Sequence, residues 1–223
     1  TDEFYIDNDK GNGSPRTAIN LLYGYQVLGD ARFLDAAVRT AELLLAAQDE
    51  RGFWVHGYRM TVHGIQPAAS EQHIKLQDLV QAHPMFYLAY AYRVTGDERY
   101  LDAIKRAGEW LIEAQNPNGS WSHHYDATEG VGKNAQGEPG AGEINDRTMN
   151  SGIDVMAFMY HMTGEAKYLD AMKRAGDWLI EAQGDEVPLW AMQYDPDNNP
   201  QWARHFEPPA WSYPGTTQAI EAL

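Results

Sequence analysis

Three stretches of the chain share one pattern of apolar and polar positions, and they recur at a constant spacing. Each stretch contains a Gly followed by Asp or Glu, at Gly29, Gly96 and Gly164, and these glycines lie 67 and 68 residues apart. After each Gly-acid pair, apolar residues such as Tyr100 and Ile104 follow at intervals of three and four, which is typical of an amphipathic helix. A period longer than one helix indicates a repeated supersecondary unit.

The segment before each of these glycines is apolar around most of its circumference. These segments are residues 19–28, 85–94 and 153–162, and helices of this kind are buried on more than one side. The Gly can adopt the left-handed conformation that ends a helix, while the acidic residue beside it caps the next helix and complements its dipole. The pattern therefore predicts three αα-hairpins, each with one enclosed and one peripheral helix, joined by long loops.

The composition is that of a single domain over residues 1–223. The chain is 43% hydrophobic and has no apolar run long enough to span a bilayer. Its 17 basic and 32 acidic residues give a net charge of −15, which argues against nucleic-acid binding and means that an anionic ligand needs a local cation. The absence of Cys excludes disulfides and thiolate metal sites.

The two ends of the chain carry further expectations. No basic region or apolar run precedes the first helix, so we expect that any secretion signal has been removed or omitted. Asp7, Asn8 and Asp9 group three oxygen-bearing side chains, which either contribute to a calcium site or form a solvated turn. Residues 216–223 predict one more helix that stops abruptly, so we expect the domain to be truncated at the C-terminus, without a closing hairpin.

The second connecting loop, residues 116–145, is rich in Gly and predicts little regular structure. The loop leads into Asn145 and Asp146 at a helix start, where these residues either cap the helix or belong to a site. Asp78, at the start of the second hairpin, is likewise either a helix-terminus acid or a site residue. The loop also supplies flat amphipathic rings that suit stacking on sugar faces, namely Trp121, His123, His124 and Tyr125.

After the third hairpin the pattern changes to two short aromatic segments, 189–194 and 201–206, separated by a DPDNNP turn. This arrangement predicts a short β-hairpin-like excursion from the helical scaffold. Arg204 alternates with Trp202 and Phe206 and so shares a face with them. It is either a partly desolvated site residue or an ordinary strand-edge charge.

Three segments of the chain, AQNPNGSW, INDRTMNSGIDVM and PLWAMQYDPDNNPQWARHFEPP, carry a family resemblance. Together they resemble the pectate lyases of polysaccharide lyase family ten, and the resemblance covers residues 87–211. Its most specific part is the WAR-x-x-E-x-P element from Trp202 to Pro208. The resemblance implies an all-α fold, an (α/α)3 toroid, which agrees with the three hairpins.

The resemblance implies an enzyme that cleaves an acidic polysaccharide, polygalacturonate or a related polyuronate, by calcium-assisted β-elimination. A base removes the proton α to the uronate carboxylate and the C4 oxygen leaves, while Ca²⁺ and cationic side chains stabilise the growing negative charge. By position, Arg204 is implied as the base and Asp146 as a calcium ligand. An arginine base needs neighbouring positive charge, because its pKa ordinarily exceeds about 12.

The resemblance also implies roles for other residues of the site. Asn145 and Asp78 are expected to join Asp146 as metal ligands, and Arg147, Trp202 and Glu207 to bind substrate together with the four rings of the second loop. Where the family has Asn-Asp-Asp, this chain has Asn-Asp-Arg, which adds a cation that can hold a uronate. We further expect a monomer that is secreted or periplasmic, with no nucleic-acid or membrane partner.

Two other classes of function stay open at this point. One is a non-catalytic or degenerate carbohydrate-binding domain, which the missing closing segment favours. The other is an α/α-toroid glycoside hydrolase that uses two carboxylates, Glu207 with Asp146 or Asp78. The products distinguish the three, because elimination leaves a conjugated double bond, hydrolysis gives saturated products and a binding domain returns its ligand unchanged.

Overall fold

The fold is that of a computed structural model, which describes residues 3–6, 14–68, 73–140 and 142–223. The Asp7–Asp9 cluster therefore lies outside the described residues. A single 3-10 turn, Asn145–Arg147, precedes the fifth α-helix. The α-helices in the described ranges are α1 (Ser14–Leu28), α2 (Ala31–Ala47), α3 (Ala82–Thr95), α4 (Glu98–Glu113), α5 (Thr148–Thr163), α6 (Ala166–Glu181) and α7 (Tyr213–Ala222).

Short antiparallel strands lie in the connections between these helices. In the described ranges the strands are β1 (Glu3–Tyr5), β2 (Gly57–Thr61), β3 (Gly64–Pro67), β4 (Ile74–Lys75), β5 (His124–Asp126), β6 (Val131–Lys133), β7 (Trp190–Ala191) and β8 (Trp211–Ser212). They form two three-stranded sheets, β1-β2-β3 and β4-β5-β6, and one two-stranded sheet, β7-β8. None of the helices in the described ranges is long and apolar enough to cross a membrane.

Three glycines make the turns of the predicted hairpins. Gly29, Gly96 and Gly164 have φ angles of 69°, 74° and 71°, in the left-handed region that Gly enters without a steric penalty. Each donates its backbone N–H to the carbonyl four residues earlier, at 2.7–2.8 Å. Asp30 then accepts the N–H of Arg32 and caps α2. The predicted αα-hairpins are confirmed.

The chain folds as two compact units. The first lies within residues 1–72 and 80–110, and the second within 73–79 and 111–223. In the first unit α1 packs against α2 and α3, and in the second α5 packs against α6 and α7. The single domain that we expect over the whole chain stays a prediction.

The peripheral helices bury one apolar face each. On α4, Tyr100, Ile104 and Trp110 are fully or almost fully buried, and on α6 the same holds for Tyr168 and Leu179. Their spacings, four and six residues on α4 and eleven on α6, place them on one side of each helix. Burying a side chain of this size contributes about 1.5–3 kcal/mol, so these faces hold the hairpins in place.

A buried tryptophan ties each connecting loop to the helix that precedes it. The spacing of ten or eleven residues lets the loop turn back over the last helical turn, where the helix runs out of N–H donors for its carbonyls. The Leu44 carbonyl also accepts the backbone N–H of Gln48, at 3.0 Å. A buried carbonyl left without a donor costs about 1–3 kcal/mol. The indole N–H groups donate from Trp54 to the Leu44 carbonyl at 2.9 Å, from Trp121 to Leu111 at 2.9 Å and from Trp190 to Leu179 at 2.7 Å.

The loop also locks onto the next peripheral helix. In the second unit, Gln115 donates its side-chain amide to the carbonyls of Gly119 and Ala171, at 2.8 and 2.9 Å. Gly119 has a φ of 96°, and a Cβ there would lie 2.3 Å from the carbonyl oxygen of Arg174. Only Gly permits this approach. In the first unit Gln48 makes the equivalent pair of hydrogen bonds.

The connecting loops contain more regular structure than their Gly content predicted. In the second loop, β5 and β6 pair with Tyr125 opposite Gly132, and β4 pairs with β5. A Cβ at Gly132 would lie 2.4 Å from the Ser122 hydroxyl oxygen, so the Gly allows close packing within this sheet.

The excursion after the third hairpin is present, with one difference from the prediction. Tyr194 pairs with Pro200 in an isolated bridge, and Asp195 caps the DPDNNP turn by accepting the backbone N–H of Asn199. The second arm, however, does not run extended to Phe206. It turns at Arg204, whose carbonyl accepts the N–H of Glu207, and β7 pairs with β8 instead.

We expect Trp190→Phe to lower the free energy of unfolding by about 1–3 kcal/mol, because the Leu179 carbonyl loses its buried donor while most of the ring packing is kept. Urea unfolding followed by far-ultraviolet circular dichroism measures the change. Trp202→Phe is the matched control, since Trp202 is 52% exposed, and it should change stability by less than about 0.5 kcal/mol. Equal effects of the two substitutions would contradict the anchoring role of Trp190.

Candidate active site

Two equivalent turns of the repeat meet in the second unit. Asp78 and Asp146 each lie 18 residues before the glycine that ends the following helix, and the backbone N–H of Asp78 donates to the Asp146 carbonyl at 3.0 Å. Two consecutive residues have positive φ in each turn: 58° and 61° at Asp78 and Leu79, and 51° and 61° at Asp146 and Arg147. Such conformations cost about 1–3 kcal/mol each and concentrate at functional sites, so the strain marks this place as a candidate site.

The Asp146 turn faces an arginine that two carboxylates hold. Arg204 donates from Nε to Glu207 Oε2 at 2.7 Å and from Nη2 to Glu207 Oε1 at 2.6 Å. Its Nη2 also lies 3.2 Å from Asp146 Oδ2. The two carboxylates hold the guanidinium in place. Because the Arg204 side chain is 39% exposed, the guanidinium still reaches solvent. A planar guanidinium in this position suits the binding of a carboxylate.

The charges of this cluster stabilise one another. The hydrogen bonds to Glu207 raise the pKa of Arg204 above its ordinary value, and the charge of Asp146 adds to that rise. In return, the hydrogen bond from Arg204 lowers the pKa of the Glu207 carboxyl. Arg204 is therefore a cation and Glu207 an anion throughout the neutral pH range.

Asn145 connects the strained turn to the arginine. Its side-chain amide donates to Glu207 Oε1 at 3.1 Å, and its backbone carbonyl accepts the Thr148 hydroxyl at 3.0 Å. No side-chain cap forms at the start of the 3-10 turn or of α5. The cap positions are those of Ile144 and Arg147, while the side chains of Asn145 and Asp146 contact Glu207 and Arg204.

A buried histidine–glutamate pair lies beside this cluster. His123 Nδ1 donates to both carboxylate oxygens of Glu143, at 2.8 and 3.0 Å, and the Glu143 side chain is 0% exposed. Burial acts to lower the pKa of His123, but the hydrogen bond and charge of Glu143 raise it above the ordinary value. Sequence reasoning missed Glu143, although an acid in a Gly-rich loop two residues before Asn145 was a signal.

The aromatic rings of the second loop divide into core and site residues. Trp121 is fully buried and Tyr125 nearly so, and the Trp-x-x-x-Tyr spacing recurs at Trp54 and Trp190. A fully buried ring offers no face to a sugar, so the stacking role expected for Trp121 is corrected to a scaffold role. His123 is the ring of this set that joins the charged cluster.

His124 points into a different environment. Its ring is buried and stacks on His73 with a centroid distance of 4.3 Å, and its Nε2 has no hydrogen-bond partner among the described residues. Burial, followed by the charge of His73, lowers the pKa of His124 to about 4. The predicted substrate contact of His124 is not supported by this placement.

Two other predicted substrate contacts lie at the edge of the site. Arg147 donates its backbone N–H to Gln218 and its guanidinium to Glu221, at 2.8 and 3.1 Å, and is thereby tied to α7. Trp202 is 52% exposed and available to a ligand. The Arg204 guanidinium also lies 5.2 Å from the centroid of the Phe206 ring, which extends the site towards an apolar surface.

A cavity adjoins the arginine cluster. It has a volume of about 330 Å³ and a mostly apolar lining, with Glu207 as its charged member. Cavities that combine apolar walls with a few charged groups are typical ligand sites. The lining residues are Met192, Phe206, Glu207, Pro208, Ala210, Ser212 and Pro214.

The three predicted metal ligands fit calcium in their chemistry. Asp78, Asn145 and Asp146 carry the hard oxygen donors that calcium prefers, and the backbone hydrogen bond brings two of them onto adjoining turns. Within the part of the chain that the structure describes, no three His, Cys, Asp or Glu side chains gather into a metal-binding group.

Comparison with known families gives one match by sequence. Residues 80–137 match the family model described as pectic acid lyase. The chain is similar to pectate lyases. The matched range includes Asp126 and the whole β5–β6 hairpin, and it ends before the Asp146 turn. No curated protein matches the chain.

Solved structures show the fold. A family 10 polysaccharide lyase from Cellvibrio cellulosa, solved as a mutant with trigalacturonic acid, has a TM-score of 0.65 and 19% identity over 94% of this chain. A cellobiose 2-epimerase from Bacillus thermoamylovorans has a TM-score of 0.62 and 14% identity over 94% of this chain. An α-mannanase from Bacteroides thetaiotaomicron has a TM-score of 0.54, 16% identity and the same coverage.

These likenesses confirm the predicted α/α-toroid fold class. The chain spans 66% of the length of the lyase, just under two thirds, and about half that of the other two, 52% and 49%. Enzymes with three chemistries share the fold, so the fold does not decide among them. The similarity to pectate lyases agrees with the resemblance found in the sequence.

We expect the stability of the protein to fall by about 1–3 kcal/mol as the pH drops from 6.5 to about 4, on account of His124. The pKa of His124 is lower in the folded state than in the unfolded chain, so the unfolded chain binds the proton first as the pH falls. The stabilisation is complete above pH 6.5 and is lost as the pH falls through the pKa of the folded state.

Urea unfolding at several pH values measures this slope. His124→Phe keeps a ring in place and should flatten the curve over that interval, whereas His161→Phe, at an exposed position on α5, should leave it unchanged. An unaltered slope in the His124 variant would show that His124 is not the group responsible.

Proposed function

We propose that this chain contributes the substrate cleft of a polysaccharide lyase that cleaves polygalacturonate or a related acidic polysaccharide by β-elimination. The match to the pectic acid lyase model and the likeness to the lyase from Cellvibrio cellulosa support this proposal. That lyase was solved with trigalacturonic acid. A polymer of this kind lies outside the cytoplasm, so we also propose that the protein is secreted or periplasmic and acts as a monomer.

The observation that carries the proposal is the fixed and partly exposed cation Arg204. The chain has a net charge of −15, and such a surface repels a polyanion unless a local positive charge receives it. Arg204 is held at one edge by Glu207 and Asp146, and its remaining N–H groups can bind a uronate carboxylate.

A uronate carboxylate at Arg204 is activated for elimination. The proton on C5, α to that carboxylate, is weakly acidic, and its removal places negative charge on the carboxylate oxygens. A preorganised guanidinium stabilises this charge as it develops. Asp78, Asn145 and Asp146 would hold a calcium ion, which when bound supplies further positive charge to the same carboxylate.

The role of Arg204 as the base stays a prediction. In the structure the hydrogen bonds to Glu207 and the charge of Asp146 raise its pKa, so the guanidinium would have to lose a proton before it could accept the C5 proton. Its role as the cation that binds the carboxylate needs no such change. Both roles require Arg204 for turnover.

The cavity beside Glu207 provides room for a neighbouring sugar. Its walls include Phe206 and Pro208, and Trp202, four residues before Phe206, carries an exposed ring. The apolar faces of pyranose rings pack on such surfaces, while carboxylates bind the cation. The cleft therefore suits a chain of uronates better than a neutral polymer.

The glycoside hydrolase alternative is less well supported. A hydrolase of that kind needs one carboxylic acid whose pKa is raised so that it can protonate the leaving oxygen. The hydrogen bond from Arg204 lowers the pKa of Glu207, which keeps that carboxylate ionised. Glu207 is therefore better suited to positioning Arg204 than to donating a proton.

We expect the protein to release unsaturated products from polygalacturonate in a calcium-dependent reaction, measured by the ultraviolet absorbance of the conjugated uronate. Excess chelator should abolish the signal and added calcium restore it. Asp146→Asn should weaken calcium binding by calorimetry, which tests the metal site without turnover. Full activity in chelator would count against a calcium-assisted reaction.

Substitutions at Arg204 test whether activity depends on its positive charge or on the shape of the guanidinium. Arg204→Ala should lower kcat by about 10²–10³-fold, the loss typical of a removed charge-stabilising donor, while Arg204→Lys should keep part of the activity because a cation remains. Arg39→Ala, at an exposed position on α2, is the matched control and should be as active as the wild type. Wild-type turnover by Arg204→Ala would remove Arg204 from the mechanism.

A further inference from the structure

A second cavity lies within the second unit and has a volume of about 420 Å³. This volume is in the range typical of ligand sites. None of the described residues that line it belongs to the cluster of Arg204, Glu207 and Asp146 or to the cavity beside Glu207. Its apolar wall comes from the residues after α4, the β5–β6 hairpin and the segment after β6, namely Ala114, Pro117, Tyr125, Val131 and Pro139.

Buried hydrogen bonds hold the wall of this cavity in place. Asn116 is 6% exposed, and its side-chain amide donates to the hydroxyls of Ser120 and Ser122 at 2.9 and 3.0 Å. Gly132 packs against the same group, since a Cβ there would lie 2.7 Å from Asn116 Oδ1. The β5–β6 hairpin is thereby fixed on the loop after α4. The cavity is therefore preformed, as ligand sites usually are.

The charge at this cavity is negative. Of the described residues that line it, Glu113 alone is charged, and it lies exposed at the last position of α4. The C-terminal end of a helix carries a partial negative charge, which adds to that of the carboxylate. Lys133 does not offset this charge, because Asp126 and Glu129 bind its ammonium group at 2.9 Å each. A uronate is therefore repelled from this cavity.

An apolar wall with a single carboxylate suits a neutral sugar. The apolar face of a pyranose ring packs against Pro and Tyr side chains, and its hydroxyl groups donate to a carboxylate. An inorganic cation would exchange its hydration shell for one carboxylate and an apolar wall, which is unfavourable. The chemistry of this cavity thus differs from that of Arg204, where a fixed cation receives an anion.

One loop segment borders the cavity and also contacts the segment that carries Arg204. Gly140 lines the cavity, and a Cβ at Gly140 would lie 3.3 Å from Cγ of Pro196. Four residues earlier, Gln136 donates its side-chain amide to the carbonyl of Ala203, the residue before Arg204. The cavity therefore adjoins the part of the chain that would bind an acidic polymer.

We propose that this cavity binds a neutral sugar, with Glu113 accepting hydrogen bonds from its hydroxyl groups. The cavity is then a subsite for the neutral sugars of an acidic polysaccharide whose uronates Arg204 binds, and this role rests on the proposed lyase function. The preferred substrate is accordingly a mixed polymer of uronates and neutral sugars. Tyr125, expected from the sequence to bind substrate, forms part of this wall.

The binding site is tested by ligand-observed NMR titration of the full chain with galactobiose and digalacturonate, two disaccharides of the same ring geometry that differ in charge. Galactobiose should bind the wild type and Arg204→Ala alike, and digalacturonate should bind Arg204→Ala more weakly than galactobiose does. Glu113→Lys should weaken galactobiose binding about tenfold, the loss expected for one hydrogen bond to a charged group. Glu181→Lys should bind galactobiose as the wild type does. It is the matched control, because Glu181 ends α6 as Glu113 ends α4.

The role as a subsite is tested by turnover of a polyuronate that carries galactose side chains. Glu113→Lys should raise KM for this polymer with little change in kcat, since the cavity binds the polymer away from the reacting bond. Glu181→Lys should leave KM unchanged. An equal KM for the wild type and Glu113→Lys would overturn the role as a subsite.

The binding outcomes separate this inference from the proposed function. Weakened galactobiose binding in Glu113→Lys, with binding kept in Glu181→Lys, supports the inference. A wild type that forms unsaturated product but does not bind galactobiose overturns it and leaves the lyase function standing, as does a Glu113→Lys variant that binds galactobiose like the wild type. Digalacturonate that binds Arg204→Ala as tightly as galactobiose does overturns the assigned preference for neutral sugars. A wild type that binds galactobiose but forms no unsaturated product overturns the lyase function, and the role as a subsite falls with it.

Discussion

The site depends on one backbone hydrogen bond between equivalent turns of the repeat. The Asp78 N–H donates to the Asp146 carbonyl, and it does so with two consecutive residues in the left-handed conformation on each side. That geometry is strained, and the surrounding helices have to hold it. Because it is held, Asp146 lies beside Arg204 and Asn145 beside Glu207.

The charged side chains of Glu207 and Asp146 lie next to Arg204. In a chain of net charge −15, a cation that is bound by two carboxylates and still reaches solvent forms a local receptor for an anion. The neighbouring His123–Glu143 pair is more buried than Arg204. A fixed cation stabilises the negative charge that develops when a proton next to a carboxylate is removed.

The hairpins were predictable because their signals are local. A Gly that ends a helix and an acid that begins the next act within a few residues, and the three-and-four spacing of Tyr100 and Ile104 follows from helix geometry alone. The strands in the second loop were not predicted, since Gly132 was interpreted as a sign of irregular structure, although it serves the close packing of β6 on Ser122. The site was predictable only in part. Asp146 and Arg204 were each expected in a site, and the structure places Arg204 Nη2 3.2 Å from Asp146 Oδ2. The pairing of His123 with Glu143 was not predicted, because it spans 20 residues of loop.

The most direct test of the lyase account is mass spectrometry of oligogalacturonate products formed in water enriched in heavy oxygen. Elimination adds no solvent oxygen to the newly formed ends, so the account predicts an unlabelled unsaturated product and an unlabelled saturated partner. Incorporation of heavy oxygen at the cleaved bond, with saturated products, would show hydrolysis and contradict the account.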